Sequence, residues 1–172
     1  MTTVLHACPG GVLTCPATVL CDRRDGGHLV VEPPRPVWER SELTAEELAR
    51  WSLLVAATGR AMLDVLPVLQ GGCVNYWEAG NWALHPDAAP VGAKDVQAHR
   101  RVHLHVFGRS RTATDPAWRW GESPRFPDFA DSAAWAARFS PLAPQECQAV
   151  GSRVAELLQQ RFSLAPAAGE AA

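Results

Sequence analysis

Two histidines that stand two residues apart, His103 and His105, are the side chains of this sequence best suited to chemistry. They lie in residues 101–107, where apolar residues alternate with polar ones. This alternation predicts a β-strand with its apolar side chains on one face and with Arg101, His103 and His105 on the other. We therefore expect one face of the strand to pack in the core and the other to carry the imidazoles.

The histidine pair permits three interpretations. It could be an inert feature of an exposed strand, or it could bind a metal ion, which would require a third ligand. Two arginines close behind the pair, Arg109 and Arg111, would repel a cation. The third interpretation is nucleophilic attack on phosphorus, in which Arg101 and Arg109 would offset the charge of the phosphate oxygens. The cationic flanks favour this third interpretation.

Composition favours a small-molecule ligand over a polymer. The chain has 172 residues, of which 47% are hydrophobic and 20% charged, and its formal net charge is −2. This length predicts one domain with a real core, and the charge offers no basic field for nucleic acid. No apolar run is long enough to cross a bilayer, and no secretory signal is recognisable, so we expect a cytoplasmic protein.

The five cysteines are odd in number and irregularly spaced, which predicts reduced thiols rather than a disulfide framework. A zinc site built from His6, Cys8, Cys15 and Cys21 is a further alternative. No C-x-x-C pair supports it, and we expect no bound metal or cofactor.

The N-terminal third predicts a hairpin after an unstructured start. Residues 1–16 are rich in Gly, Pro and Cys and predict an irregular segment. The apolar runs 17–21 and 28–32 predict two antiparallel strands, joined by a turn at 22–27 whose Asp and Gly residues suit positive φ. The domain is expected to span residues 17–162, with a flexible tail at 163–172.

Two amphipathic helices and another strand complete the prediction. Thr44 and Glu47 have capping-box spacing, and an apolar stripe continues from there towards Pro67. Pro144 suits a first helical turn, and a second apolar stripe follows it up to Phe162. Residues 73–77 predict a strand, and residues 84–100 and 112–129 predict long loops. The second loop is aromatic and could either cover the edge of the core or act as a lid that stacks on a ring.

Several of these pieces, taken together, resemble the histidine triad superfamily. The stretch Val102-His103-Leu104-His105-Val106-Phe107-Gly108 is similar to the family's signature strand. Upstream, residues 27–33 and 41–48 resemble its first hairpin and helix start, and Asn75-Tyr76-Trp77-Glu78-Ala79-Gly80-Asn81 matches its phosphate-binding turn in both order and position. The resemblance covers roughly residues 17 to 110.

The resemblance implies specific roles for these residues. His103 corresponds to the nucleophile that attacks the α-phosphorus of a nucleotide, and His105 corresponds to the histidine that contacts the phosphate and places the leaving group. Asn75, Gly80 and Asn81 correspond to residues of the nucleotide and phosphate turn. A less direct correspondence links Asp22 to the acidic residue that holds the ribose.

Two departures from the family pattern concern the region before the histidine strand. Arg101 occupies the position of the first histidine, and residues 84–100 replace a short connection. His99 could take the missing place only through a bulge or an insertion. His28 is interpreted as a structural histidine, and Glu78 is interpreted as a solvated turn residue.

By resemblance, the expected fold is α+β and HIT-like, with an antiparallel sheet of about five strands, one long helix packed on it and a C-terminal helix. The expected function is hydrolysis or transfer at the α-phosphorus of a dinucleoside polyphosphate, nucleotide sugar or nucleoside phosphoramidate. The alternatives are a nucleotide-binding protein without turnover and a metal-dependent hydrolase. The resemblance also implies a homodimer.

Overall fold

The protein contains a five-stranded antiparallel sheet with two long helices packed on one face, and its strand order is β1-β2-β3-β5-β4. This computed structural model describes residues 1–163, so the expected flexible tail lies almost wholly outside the described residues. The strands are β1 (Thr3–Cys8), β2 (Gly11–Cys15), β3 (His28–Glu32), β4 (Cys73–Ala79) and β5 (His103–Arg109), and the helices are α1 (Ala45–Val65), α2 (Val96–His99), α3 (Ser132–Ala136) and α4 (Pro144–Phe162). The predicted α+β class, the long helix and the C-terminal helix are confirmed.

The long helix α1 begins as its sequence predicts. The Thr44 hydroxyl accepts from the Glu47 amide, and the Glu47 carboxylate accepts from the Thr44 amide, so both halves of the capping box are present. The helix ends at Val65, just before Pro67. Its buried face, which includes Trp51, packs together with α4 against one face of the sheet.

The prediction of an irregular start was wrong. Residues 1–16 contain β1 and β2, which form a hairpin around Pro9 and Gly10 and extend the sheet. Gly11 has a φ of 128°, and a Cβ there would lie 2.0 Å from the Glu32 carbonyl oxygen. The Pro and Gly residues that indicated irregular chain therefore mark a tight turn between two short strands.

The prediction of a strand at residues 17–21 was also wrong. β3 pairs with β2 and β5 instead, while residues 17–21 form no strand. The reason lies in Leu20, whose backbone groups are taken by side chains: its N–H donates to His28 Nδ1, and its carbonyl accepts from Trp118 Nε1. The turn at 22–27 does have the expected positive φ values, at Gly26 and Gly27.

The two faces of the sheet have different partners. Leu104 and Val106 of β5 point into the main core with the helices, whereas His103, His105 and Phe107 point to the opposite face. Part of this opposite face is covered by the aromatic loop, whose Trp118 is fully buried. The remainder, around the histidines, stays open.

Candidate functional site

Three histidines on the open face form one continuous hydrogen-bonded chain. His28 Nε2 lies 2.7 Å from His105 Nδ1, and His105 Nε2 lies 3.2 Å from His103 Nε2. β3 supplies the first imidazole, and its neighbour β5 supplies the other two. The predicted pairing of His103 and His105 on one face is confirmed, and His28 joins them from the adjacent strand.

Backbone groups at both ends of the chain determine where its protons lie. The Leu20 N–H donates to His28 Nδ1 over 3.2 Å, so His28 carries its proton on Nε2 and donates it to His105 Nδ1. His105 must then carry its proton on Nε2 and donate to His103 Nε2. His103 completes the chain by donating from Nδ1 to the Arg101 carbonyl oxygen over 3.0 Å. Each imidazole therefore carries one proton, and the Nε2 lone pair of His103 accepts from His105.

Burial and mutual repulsion keep the inner histidines neutral. Burial, reinforced by the neighbouring His103, lowers the pKa of His105 to about 3. Burial, with repulsion from His105 and His103, also holds the pKa of His28 well below its ordinary value. An added proton on either ring would place two N–H donors face to face, so the hydrogen-bond geometry and the pKa directions agree.

A glycine gives the Arg101 carbonyl room to hold His103. Gly80 follows β4 with a φ of 135°, and a Cβ there would lie 2.6 Å from the Arg101 carbonyl oxygen. That oxygen accepts from His103 Nδ1. Gly80 thus acts on the histidine through the backbone of the facing segment, and any larger residue would displace this carbonyl.

The aromatic loop and α3 together anchor the other end of the histidine chain. The indole N–H groups of Trp118 and Trp135 both donate to the Leu20 carbonyl oxygen, at 2.9 and 3.2 Å. This holds the Leu20 segment where its own N–H meets His28. The buried Trp118 and the packed Phe126 support the interpretation of the 112–129 loop as a cover over the core edge.

Two hollows flank the outer end of the chain, and His103, His105, Leu20 and Trp82 line both. The first, which we call the β4 hollow, has a volume of about 510 Å³ and is further lined by Trp77, Glu78, Ala79, Gly80, Asn81, Ala83, His99 and Arg101. The second, the β3 hollow, has a volume of about 550 Å³ and is further lined by Thr2, Thr14, Pro16, Thr18, His28, Val30, Glu32, Ser132 and Ala133. Both volumes lie in the usual range for small-molecule sites.

Arg101 lies at the rim of the β4 hollow just before β5 begins. Its guanidinium donates to the carbonyl oxygens of Gln97, Ala98 and Arg100, at 2.8, 3.0 and 2.5 Å respectively, and so closes the end of α2. A guanidinium has five N–H groups, so two donors remain for an anion in the hollow. Arg101 is therefore a fixed cation beside the histidines.

The turn residues are only partly brought to the site. Asn81 lines the β4 hollow, where its side-chain oxygen accepts from Arg100 Nε at 3.1 Å. Asn75 of β4 points to the same face of the sheet as the histidines, but it lies two positions before Trp77, which lines the β4 hollow. Its side-chain oxygen accepts from Arg109 at 2.9 Å. The structure places Asn75 among the contacts of Arg109, away from both hollows.

Arg109 is buried and does not line either hollow. Besides the bond to Asn75, its guanidinium donates to the carbonyl oxygens of Arg119 and Glu122, at 2.8 and 2.9 Å, and lies over the Trp118 ring. These contacts hold the aromatic loop against the sheet. The expected phosphate contact therefore does not fit the position of this arginine.

Asp22 and Glu78 are also structural. Burial alone would raise the pKa of Asp22, but hydrogen bonds from Arg24 and the Ser140 amide outweigh it and leave that pKa lowered. These contacts stabilise the turn before β3, and Asp22 lines neither hollow, so the expected ribose contact does not fit its position. Glu78 belongs to β4 rather than to a turn, and it pairs with Arg40 at 2.6 Å.

No group of three or more His, Cys, Asp or Glu side chains within residues 1–163 is arranged to hold a metal ion. The structure therefore does not assemble the zinc site considered for His6, Cys8, Cys15 and Cys21. Along the same described residues, every helix is too short or too polar to cross a membrane.

Sequence reasoning missed the part that His28 plays. A histidine at the start of an apolar strand reads as a satisfied structural residue, and only the register of β3 against β5 brings it beside His105. The signal was the pairing of two predicted strands that each carry histidine on the same face. No protein-family model matches this chain, and no curated protein matches it at a significant level.

Proposed function

We propose that the protein hydrolyses or transfers a nucleotidyl group at the α-phosphorus of a nucleotide conjugate, through a covalent intermediate on His103. The observation that carries the proposal is the end-fixed histidine chain, which keeps His103 Nε2 unprotonated beside an open cleft, with its lone pair held by the His105 N–H until that N–H turns away. It is supported by the resemblance of residues 102–108 to the histidine triad signature. We propose the HIT-like fold assignment on the same grounds.

In the first step, the Nε2 lone pair of His103 forms a bond to phosphorus. The bond from phosphorus to the leaving-group oxygen breaks, and its electron pair leaves with that oxygen. The ring becomes an imidazolium whose Nδ1–H is already held by the Arg101 carbonyl oxygen. Meanwhile the Nε2–H of His105 turns from His103 to a phosphate oxygen, where it stabilises the charge of the transition state.

In the second step, a water oxygen or another acceptor attacks phosphorus, and the electron pair of the P–N bond returns to His103. The protons of the water end on product oxygens or in the solvent, according to pH. Because His105 is neutral, it donates a hydrogen bond but has no spare proton to transfer. The site therefore suits leaving groups that depart as stable anions, namely the phosphates of dinucleoside polyphosphates and nucleotide sugars, over the amines of phosphoramidates.

Intact-mass spectrometry of the wild type and His103→Ala, mixed briefly with adenine and guanine conjugates, tests the proposal. A nucleotidyl adduct or turnover is expected in the wild type and absent in the variant. His85→Ala is the matched control, because His85 stacks on Phe129 outside both hollows.

Two other results would overturn the proposal in different ways. If the wild type and His103→Ala both bind nucleotide and neither forms product, the protein is a nucleotide-binding protein without turnover. Arg101 in place of the first histidine is then a feature of a binding site. Turnover that a chelator abolishes would identify a metal-dependent hydrolase.

A further inference from the structure

An exposed tryptophan stands directly beside the histidine chain. Trp77 of the edge strand β4 is paired with His105, their ring centroids are 5.9 Å apart, and 39% of Trp77 is exposed. Its inner side rests on Phe126 at a centroid distance of 4.0 Å. A large ring that is held from behind and open towards a cleft is a surface on which a flat ligand can stack.

The two hollows differ in charge. Within the described part of the chain, the β4 hollow is lined by Arg101, by His99 and by one acidic residue, Glu78, whose carboxylate points to the opposite face and pairs there with Arg40. The β3 hollow is lined by Glu32 and by no lysine or arginine. A ligand with several phosphates would therefore place them towards the β4 hollow.

In a displacement at phosphorus, the attacking His103 and the departing group lie in line on opposite sides of the phosphorus. The nucleotidyl part and the departing part of a conjugate must therefore extend in different directions from His103. The β3 hollow, which has threonines and Glu32 but no lysine or arginine among the described residues, suits a nucleoside with its hydroxyl groups. The cationic, aromatic β4 hollow is left for the departing group.

Building on the function proposed above, we propose that the β4 hollow is a leaving-group subsite for a phosphate that carries a flat ring, with the ring stacked on Trp77 and the phosphate held by Arg101. The ligand class is a nucleoside or aryl phosphate. Trp77 then sets specificity for the departing half of the substrate.

The test compares two conjugates that share one nucleotidyl group and differ in the leaving group. A dinucleoside triphosphate releases a nucleoside diphosphate, which has a ring, whereas a nucleoside triphosphate releases pyrophosphate, which has none. In Trp77→Ala, the ratio of kcat/KM for the first over the second should fall about tenfold, the usual effect of losing one stacked base. Trp77→Phe should keep most of the preference.

Trp120→Ala is the matched control, because Trp120 is similarly exposed, at 36%, but packs under Arg111 outside the hollow. It should leave the ratio unchanged. Titration with nucleoside diphosphate alone provides a readout that does not depend on turnover, and Trp77→Ala should weaken this binding by a similar factor.

The failures of the two proposals are distinguishable. If the wild type turns over neither conjugate but binds nucleoside diphosphate in a Trp77-dependent way, the proposed function fails and the subsite stands. If the wild type is active and Trp77→Ala changes neither the ratio nor the binding, the subsite proposal is wrong.

Discussion

The peptide groups at the two ends of the histidine chain determine how its three rings are protonated. The Leu20 N–H can only donate and the Arg101 carbonyl can only accept, so the three rings between them must each carry one proton. The proposed nucleophile, His103, thus has an unprotonated Nε2 without a neighbouring carboxylate to remove a proton. His28 lines the β3 hollow, and its hydrogen bond to His105 fixes the orientation of that ring, so His28 is a positioning residue in the proposed mechanism.

This arrangement predicts a loss of stability in mild acid. Unfolded histidines have a pKa near 6.5, whereas the pKa of His105 is lowered to about 3 and that of His28 is also strongly lowered. Below pH 6.5 the unfolded chain therefore binds protons that the native protein refuses, and the free energy of unfolding falls with pH. Between pH 8 and pH 5.5 the fall should be about 1.4 kcal/mol for each of the two histidines.

Urea unfolding of the wild type and His28→Gln across this range measures the effect. Glutamine can accept from Leu20 and donate to His105 but does not titrate, so the variant should lose about half of the pH-dependent fall. The difference in the free energy of unfolding between the wild type and His28→Gln at pH 8 serves as the control, because it reports only the packing lost in the variant. Equal pH dependence in both proteins would show that His28 is not held neutral.

A buried cation, Arg109, joins the aromatic loop to the sheet. Arg109, at the end of β5, reaches Asn75 of β4 and two loop carbonyls, and it is only 5% exposed. Arg111, two residues later, is exposed and donates from Nε to the Gly71 carbonyl oxygen. The same residue type thus has two very different environments within one short segment.

Arg109→Ala should lower the free energy of unfolding by about 3 kcal/mol, because it removes three hydrogen bonds and a buried side chain that packs on Trp118. Arg111→Ala, the matched control, should cost about 0.5 kcal/mol or less, since its surface contact is readily replaced by water. Chemical denaturation measures both values. Similar losses in the two variants would mean that Arg109 does not hold the loop.

These elements also show what the sequence could and could not predict. The capping box at Thr44 and the alternation in β5 are local signals, and both elements formed as expected. The misassigned hairpin was a non-local failure, because the choice of partner for β3 depends on side chains from Trp118 and His28 that take the Leu20 peptide groups. The role of Arg109 likewise depends on a loop whose path no local pattern reveals.

The outer edge of β4 is open to pairing with a second copy of the chain. β4 pairs with β5 on one side only, and within residues 1–163 no other strand covers its outer edge. Tyr76 is 48% exposed along it. Unpaired edges of this length invite another strand, and an antiparallel pair of identical edges closes with two-fold symmetry. We propose a homodimer through β4.

Light scattering after size-exclusion chromatography should give a mass twice the 18.6 kDa of one chain. Tyr76→Lys should shift the protein towards the monomer, because a charged side chain on an edge strand opposes pairing. Val4→Lys, on the exposed opposite edge strand β1, is the control and should leave the mass unchanged. A monomeric wild type over a wide concentration range would refute the dimer.

The position of β5 also has a dynamic consequence. It is bonded to β3 on one side and to β4 on the other, so its amides should exchange with deuterium only when most of the sheet opens. The amides of the surrounding loops, which lack such pairing, can exchange through local fluctuations. His103, the proposed nucleophile, and His105 thus belong to the most slowly opening part of the protein, and their arrangement should persist between encounters with ligand while the walls of the cleft fluctuate.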